Sequence, residues 1–171
     1  YYIESKNIQN LKNEIFKNPS KDHQQITNLI DKFSGQVSGE SIIEKNQVEI
    51  KEIFEQENIE EILNKTYSLS QNGSEFSKNT EHELKGKSPT SLKITFKQIH
   101  MATEMSLRDA LIMEYRMVQR CQASGDFYEG VRAMLVDKDR NPQWKPSNLD
   151  KVDEIWVNHF FEPLHEKDLK I

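Results

Sequence analysis

No stretch of this chain alternates apolar and polar residues through a β-branched run, which is the pattern a half-buried strand requires. Apolar residues instead recur at three- and four-residue intervals from Ile8 to Phe161. That spacing puts one face of a helix against a core in segment after segment, so the expected fold class is all-α. The core must be lean, because only 35% of the 171 residues are apolar and the mean hydropathy is −0.80. Helices of this kind finish their burial against something else.

Polar residues punctuate the helices. Ser5 is the expected N-cap of the first, with Ile8, Leu11, Ile15 and Phe16 inward. Ser20, after the break at Pro19, is the expected cap of a second helix running to Phe33. Ser34–Glu40 reads as a surface loop, and Ile42–Gln56 as one helix. Asn58 caps Ile59–Leu69, Ser74 caps Glu75–Lys85, and Ser88 followed by Pro89 opens a helix to about Met101. Ser106, with Asp109 three residues on, opens Leu107–Ala123. The inward side of that helix is expected to carry Leu107, Ala110, Leu111, Glu114, Met117, Val118 and Cys121, with Gly125 just past its end. Asp153–Phe161 is a last short helix, and His165–Ile171 a loose tail.

Net charge −5 excludes a general nucleic-acid binder, which needs a basic face to release counterions. No apolar run approaches the roughly 20 residues of a membrane span. The single cysteine, Cys121, cannot form an internal disulfide and is expected to be a buried, inert thiol. The five histidines show no i,i+3 or i,i+4 pairing with one another, so no metal site is expected among them.

Asp126–Trp144, DFYEGVRAMLVDKDRNPQW, is the best organised stretch. Asp126 and Glu129 stand at capping-box spacing, and Phe127, Val131, Met134 and Leu135 make one apolar stripe. Gly130 inside this helix should cost roughly 1 kcal/mol relative to Ala, which points to a close approach by another backbone or a ligand. Asp137–Pro142 ends the helix, and Trp144 follows as an aromatic anchor.

This stretch resembles the C-terminal signature of the crotonase (enoyl-CoA hydratase/isomerase) superfamily. The longer run Ser88–Pro146 contains SPTSLKIT, MEYRM and DFYEGVRAMLVDKD in order, and is similar to the C-terminal region of the 3-hydroxyisobutyryl-CoA hydrolases, the thioesterase branch of that superfamily. The resemblance implies that the spiral α/β core, with its oxyanion-hole amides and acidic catalytic residues, lies outside this chain. Residues 1–87 would then be a helical insert following the core, and 88–171 the family's C-terminal helical region. The implied location is the mitochondrial matrix. The implied partners are an acyl-CoA substrate and the crotonase core, with self-association through exposed apolar stripes. No separate cofactor is implied, since the substrate carries coenzyme A. The chain alone is expected to be inactive and to hold no catalytic residue.

The same resemblance suggests CoA contacts. Lys93, Lys97 and Lys138 would offer cations to the phosphates and Trp144 an aromatic face to the adenine, with Arg132 and Lys145 nearby in sequence. The alternative for these side chains is a solvated rim with Trp144 as a docking anchor. Glu114 reads as a partly buried ion pair with Arg116 or Arg132 rather than a catalytic carboxylate. For the whole protein, the alternative function is a non-catalytic, crotonase-like structural subunit of a mitochondrial assembly such as the mitochondrial ribosome. A related hydratase or isomerase is weakened by the MEYRM block and the long helical insert before Ser88.

Overall fold

The computed structural model describes residues 1–19, 22–37 and 39–171. Among these there is no β-strand: the elements are ten α-helices and a few single turns. Contacts within the chain group Tyr1–Gln47 and Val48–Ile171 as two compact units.

The first unit holds α1 (Ser5–Lys17), α2 (His23–Phe33) and the one-turn α3 (Ile42–Lys45). Ser5 is the first helical residue rather than the cap; Glu4 takes the cap position and makes no side-chain bond there. The expected cap Ser20 lies outside the described residues, and the Asp22 carboxylate accepts from Gln24 N at 3.1 Å instead. Burial is thin. Leu11 is the unit's one buried apolar residue among those described, and Phe16, expected inward, is 79% exposed.

The single helix expected over 42–56 is two. Ser41 and Glu44 close a capping box on α3, and the Asn46 side chain then donates to Ile42 O at 2.8 Å. An asparagine amide competes in this way with the backbone for its own carbonyls, and ends the run. α4 (Gln47–Phe54) starts afresh.

In the second unit, α5 (Ile59–Gln71) and α6 (Glu75–Lys85) form an antiparallel pair. The turn between them uses Gly73 at φ 94°, which a side chain would strain. The Glu49 carboxylate of α4 accepts from the hydroxyls of Ser74 and Ser77 and fixes the start of α6. α7 (Pro89–Ala102) is the wall between two hydrophobic clusters. On one side, Leu92 and Phe96 pack against Ile53, Ile59 and Ile62; on the other, Ile94 joins Met113, Met117, Val152, Val157 and Phe160. The first cluster makes packing continuous across residues 87 and 88.

α8 (Leu107–Ala123) is the longest helix, capped by Ser106 as expected. Its buried side differs from expectation. Met117 is buried as expected and Met113 joins it, while Leu107, Leu111 and Val118, expected inward, are 77%, 42% and 50% exposed. At 3.6 residues per turn these two sets lie roughly 120° apart, so one broad apolar arc has only one flank covered. Only Ser124 separates α8 from α9 (Gly125–Val131), which continues through one wider π turn, Arg132–Val136. Gly125 belongs to α9 and does not take the left-handed conformation of a helix-ending glycine. α10 (Glu154–His159) is capped by Asp153, which accepts from Trp156 N at 2.7 Å. The tail is not loose. Asp168 accepts two bonds from the Arg116 guanidinium, at 2.8 and 2.6 Å, and is held to α8.

Candidate functional site

The start of α7, the α9 helix and the segment after it converge on two side chains, Asp126 and Arg132. Ser88 caps α7 by accepting from Ser91 N at 3.1 Å, and its hydroxyl donates to Asp126 Oδ2 at 2.6 Å. The other Asp126 oxygen accepts from Lys145 N at 2.9 Å. Asp126 therefore does not cap its own helix, as its spacing to Glu129 suggested. Its carboxylate is taken by partners 38 and 19 residues away.

Glu129 does not reach back either. It pairs with Arg132 through two bonds, at 2.9 and 2.8 Å, and accepts from Gln143 N at 2.6 Å. Arg132 also donates to Asp137 at 2.5 Å and to Asp139 at 2.7 Å. One guanidinium thus gathers three carboxylates and folds the acidic turn onto α9. The hydrogen bonds from Arg132, then the Gln143 amide, hold the Glu129 carboxyl down to about 2. Arg132 is shifted upward by the same partners, Glu129 first, and Asp139 is lowered chiefly by Arg132. The turn places Lys138 and Arg140 at φ 56° and 54°, left-handed for non-glycine residues.

Trp144 lands on Gly130. A Cβ at position 130 would stand 3.3 Å from Trp144 Cη2, which explains the glycine inside the helix. The close neighbour is an indole ring rather than a backbone. The Trp144 Nε1–H donates to Gly86 O at 3.1 Å, just ahead of α7.

The four residues expected to touch CoA are not gathered in one place. Lys93 and Lys97 line a cavity of about 490 Å³ beside Glu57, Glu60 and Glu154. Lys93 is bonded to Glu60 at 2.7 Å and donates to Val152 O at 2.9 Å. Lys97 donates to Asn158 Oδ1 and stands 5.3 Å from the Phe161 ring centroid. Trp144 lines a different, larger cavity of about 730 Å³. Lys138 lines neither; it is exposed and makes no ion pair among the described residues.

Glu114 is exposed and accepts from Gln98 Nε2 at 3.1 Å. Its expected partners are committed elsewhere, Arg116 to Asp168 and Arg132 to the acidic turn. Cys121 is half-buried in the larger cavity, and burial pushes its thiol upward, toward the unreactive protonated form. Among the described residues, no group of three metal-ligating side chains comes together.

The larger cavity was not legible in the sequence. It lies between α5, α7 and α9, is walled mainly by apolar groups such as Ile59, Ile94 and Phe127, and counts Ser88 and Thr90 among its lining residues. Ser88-Pro89-Thr90 marks a helix start, and nothing in that spacing says that a hollow opens beside it.

The profile of the enoyl-CoA hydratase/isomerase family matches residues 1–161. The chain belongs to that family. It is 37% identical over 177 residues to the mitochondrial 3-hydroxyisobutyryl-CoA hydrolase of Gallus gallus, covering 100% of this chain and 45% of the relative. The enzyme of that name from Homo sapiens is 34% identical over 176 residues, covering 99% of this chain and 44% of the relative. The chain therefore spans less than half the length of these relatives. Among solved structures of the family's kind, an enoyl-CoA hydratase from Rhodobacter sphaeroides 2.4.1 superposes with a TM-score of 0.72 at 26% identity, over 86% of this chain and 44% of that one. A carnitinyl-CoA dehydratase from Mycobacterium thermoresistibile gives a TM-score of 0.77 at 22% identity, over 99% of this chain and 46% of that one, and shows the shared fold alone.

Proposed function

We propose that this chain is the helical C-terminal half of a mitochondrial acyl-CoA thioesterase acting on 3-hydroxyisobutyryl-CoA. The observation that carries this is the end-to-end match of the chain, at 37% identity, to a hydrolase of that name. In the whole enzyme, two backbone N–H donors would stabilise the oxyanion formed at the thioester carbonyl. A carboxylate would attack the carbonyl or activate water, releasing 3-hydroxyisobutyrate and free CoA. Those groups belong to a core outside these residues, so no catalytic residue is assigned here. This chain contributes the covering helices and, in Lys138 and Trp144, side chains suited to the phosphates and adenine of CoA. Lys93 and Lys97 serve that role only by leaving their present partners. The exposed flank of α8 and the apolar side chains Phe127, Met134 and Leu135 of the α9 segment offer surface for such a core to cover.

The test is CoA release from 3-hydroxyisobutyryl-CoA, read with a thiol-reactive dye. It is run on this chain alone and on the chain joined to the part of the Gallus gallus relative that it does not cover. Release from the joined protein only supports the proposal. Release from the chain alone overturns the assignment of the catalytic groups to the core. A joined protein that folds yet releases nothing overturns the enzyme in favour of a non-catalytic relative.

A further inference from the structure

We infer that the cavity between α5, α7 and α9 is a docking socket, filled by apolar side chains from the part of the hydrolase relatives that this chain does not cover. This deepens the proposed function by naming the occupant of one site, and rests on that reading only in taking the chain as part of a longer protein. The match covers 45% of the Gallus gallus relative, so more than half of that length lies outside the chain. The cavity is about 730 Å³. At roughly 30 Å³ per heavy atom (the liquid share of a water) it takes on the order of 24 heavy atoms, about six leucine side chains.

The mouth of the cavity is apolar and uncovered. Phe54, Ile99 and Phe127, from three different helices, all line it and are 42%, 61% and 48% exposed. Cys121 of α8 lines it too. Val118 stands three residues before Cys121, roughly 60° round the same helix, and belongs to the exposed flank with Leu107 and Leu111. The hollow and the uncovered side of α8 are therefore one continuous apolar surface. Surfaces of this kind on a soluble chain mark an interaction site.

The wall has the chemistry of a protein interface. Its two charged groups are engaged within the chain: the Asp126 carboxylate is held by Ser88 and the Lys145 amide, and Lys87 pairs with Glu83 at 2.9 Å. The Trp144 Nε1–H is spent on Gly86 O. The Thr90 hydroxyl is sealed from solvent and presents nothing to the hollow. A small-molecule site sets a few polar groups to orient its ligand, whereas the centre of a protein interface is depleted of free charge and closed by apolar packing. The sequence calls for such a partner as well, since 35% apolar content leaves these helices a lean core of their own.

The test places single cysteines at the mouth, Ile99→Cys or Phe127→Cys, in a Cys121→Ala background. Lys78→Cys on α6, where the native side chain is 70% exposed and lies outside the cavity lining, is the control. Alkylation by N-ethylmaleimide is followed by mass spectrometry of the peptide carrying each site. It is run on this chain alone and on the chain joined to the part of the Gallus gallus relative that it does not cover. Both mouth sites should react freely in the chain alone and about a hundredfold more slowly in the joined protein, where labelling waits for local opening. The control should react alike in both. Adding Ile99→Glu to the joined Phe127→Cys protein should return its labelling toward the rate of the chain alone, because a carboxylate resists burial among apolar groups. Unchanged labelling at both mouth sites, equal protection of the control, or no effect of Ile99→Glu would each overturn the inference. Protection in the chain alone that rises with its own concentration would overturn it in favour of a second copy. A mouth left open in the joined protein and closed by S-octanoyl-N-acetylcysteamine would overturn it in favour of a small ligand. No turnover is read, so a filled socket in an inactive protein and an open socket in an active thioesterase are distinct results.

Discussion

The first unit and the segment Asp126–Lys145 carry helices of similar apolar patterning and are held in opposite ways. In Tyr1–Gln47, Leu11 alone is buried among the described apolar residues, and Ile8, Phe16, Ile42 and Ile43 face outward. In Asp126–Lys145 most of the apolar side chains are exposed as well, yet the backbone is pinned by Asp126, by the Arg132 cluster and by the Trp144 ring on Gly130. Apolar periodicity therefore tells where a helix forms and not what fixes its position. In the second case that work is done by charge-assisted bonds and one aromatic docking event.

The largest effect is expected in the two hydrophobic clusters beside α7. Phe160 is 1% exposed and packed among Met113, Met117 and Val157. Phe160→Ala should cost about 3–5 kcal/mol by lost transfer energy plus cavity. Leu11→Ala, made in the first unit, should cost less than half as much, because Leu11 has no comparable buried cluster around it. Urea melts of the two variants check this. Equal losses would erase the contrast between the regions.

Gly130→Ala comes next. The methyl must push the Trp144 ring by a few tenths of an ångström or more. Overpacking of this kind costs about 1–3 kcal/mol, less whatever alanine gains over glycine in a helix. The indole should leave Gly86 O, seen as a red shift of Trp144 emission in the Trp156→Phe chain. An unshifted spectrum would mean that the ring is not held against the helix.

The cap signals show how much of this was legible beforehand. Asn58, Ser74, Ser88 and Ser106 each accept from the residue three positions on, as their spacing predicts. Caps are local, so local spacing suffices. Asp126 failed the same test because Ser88 and Lys145, far away in sequence, compete for its carboxylate. The covered flank of α8 was misread for a related reason. Its arc of apolar residues is wide enough for two faces, and only the fold decides that Met113 is covered beside Met117 while Leu107, Leu111 and Val118 are not. The larger cavity was invisible because a hollow is a property of three helices at once.

Acid should separate the two regions with a smaller effect, since the groups are largely solvated. The carboxyl of Glu129 is lowered from its ordinary 4.5 to about 2, and Asp139 is lowered too. Groups shifted downward contribute stability that is complete above the unfolded value. It is lost as pH falls from about 4.5 through about 2, where the native carboxylate takes its proton. Chemical-denaturation midpoints over that window should fall for the native chain. They should fall less steeply for Arg132→Gln, in which the largest cause of the shift is gone and the Gln143 amide alone remains on Glu129. Parallel slopes in the two proteins would mean that Arg132 does not control this limb.

The smallest change is expected at Phe16→Ser. Its ring is 79% exposed, so removing it should alter stability by no more than about 0.5 kcal/mol. The same substitution should still matter if the first unit is covered by another surface. In the chain joined to the part of the Gallus gallus relative that it does not cover, Phe16→Ser would then cost about 1.5 kcal/mol or more, the scale of burying one large apolar side chain. A loss in the joined protein alone would show that the exposed pattern of Tyr1–Gln47 belongs to an interface. Near-zero change in both would show that these helices stay solvated, and that their apolar spacing serves local helix formation only.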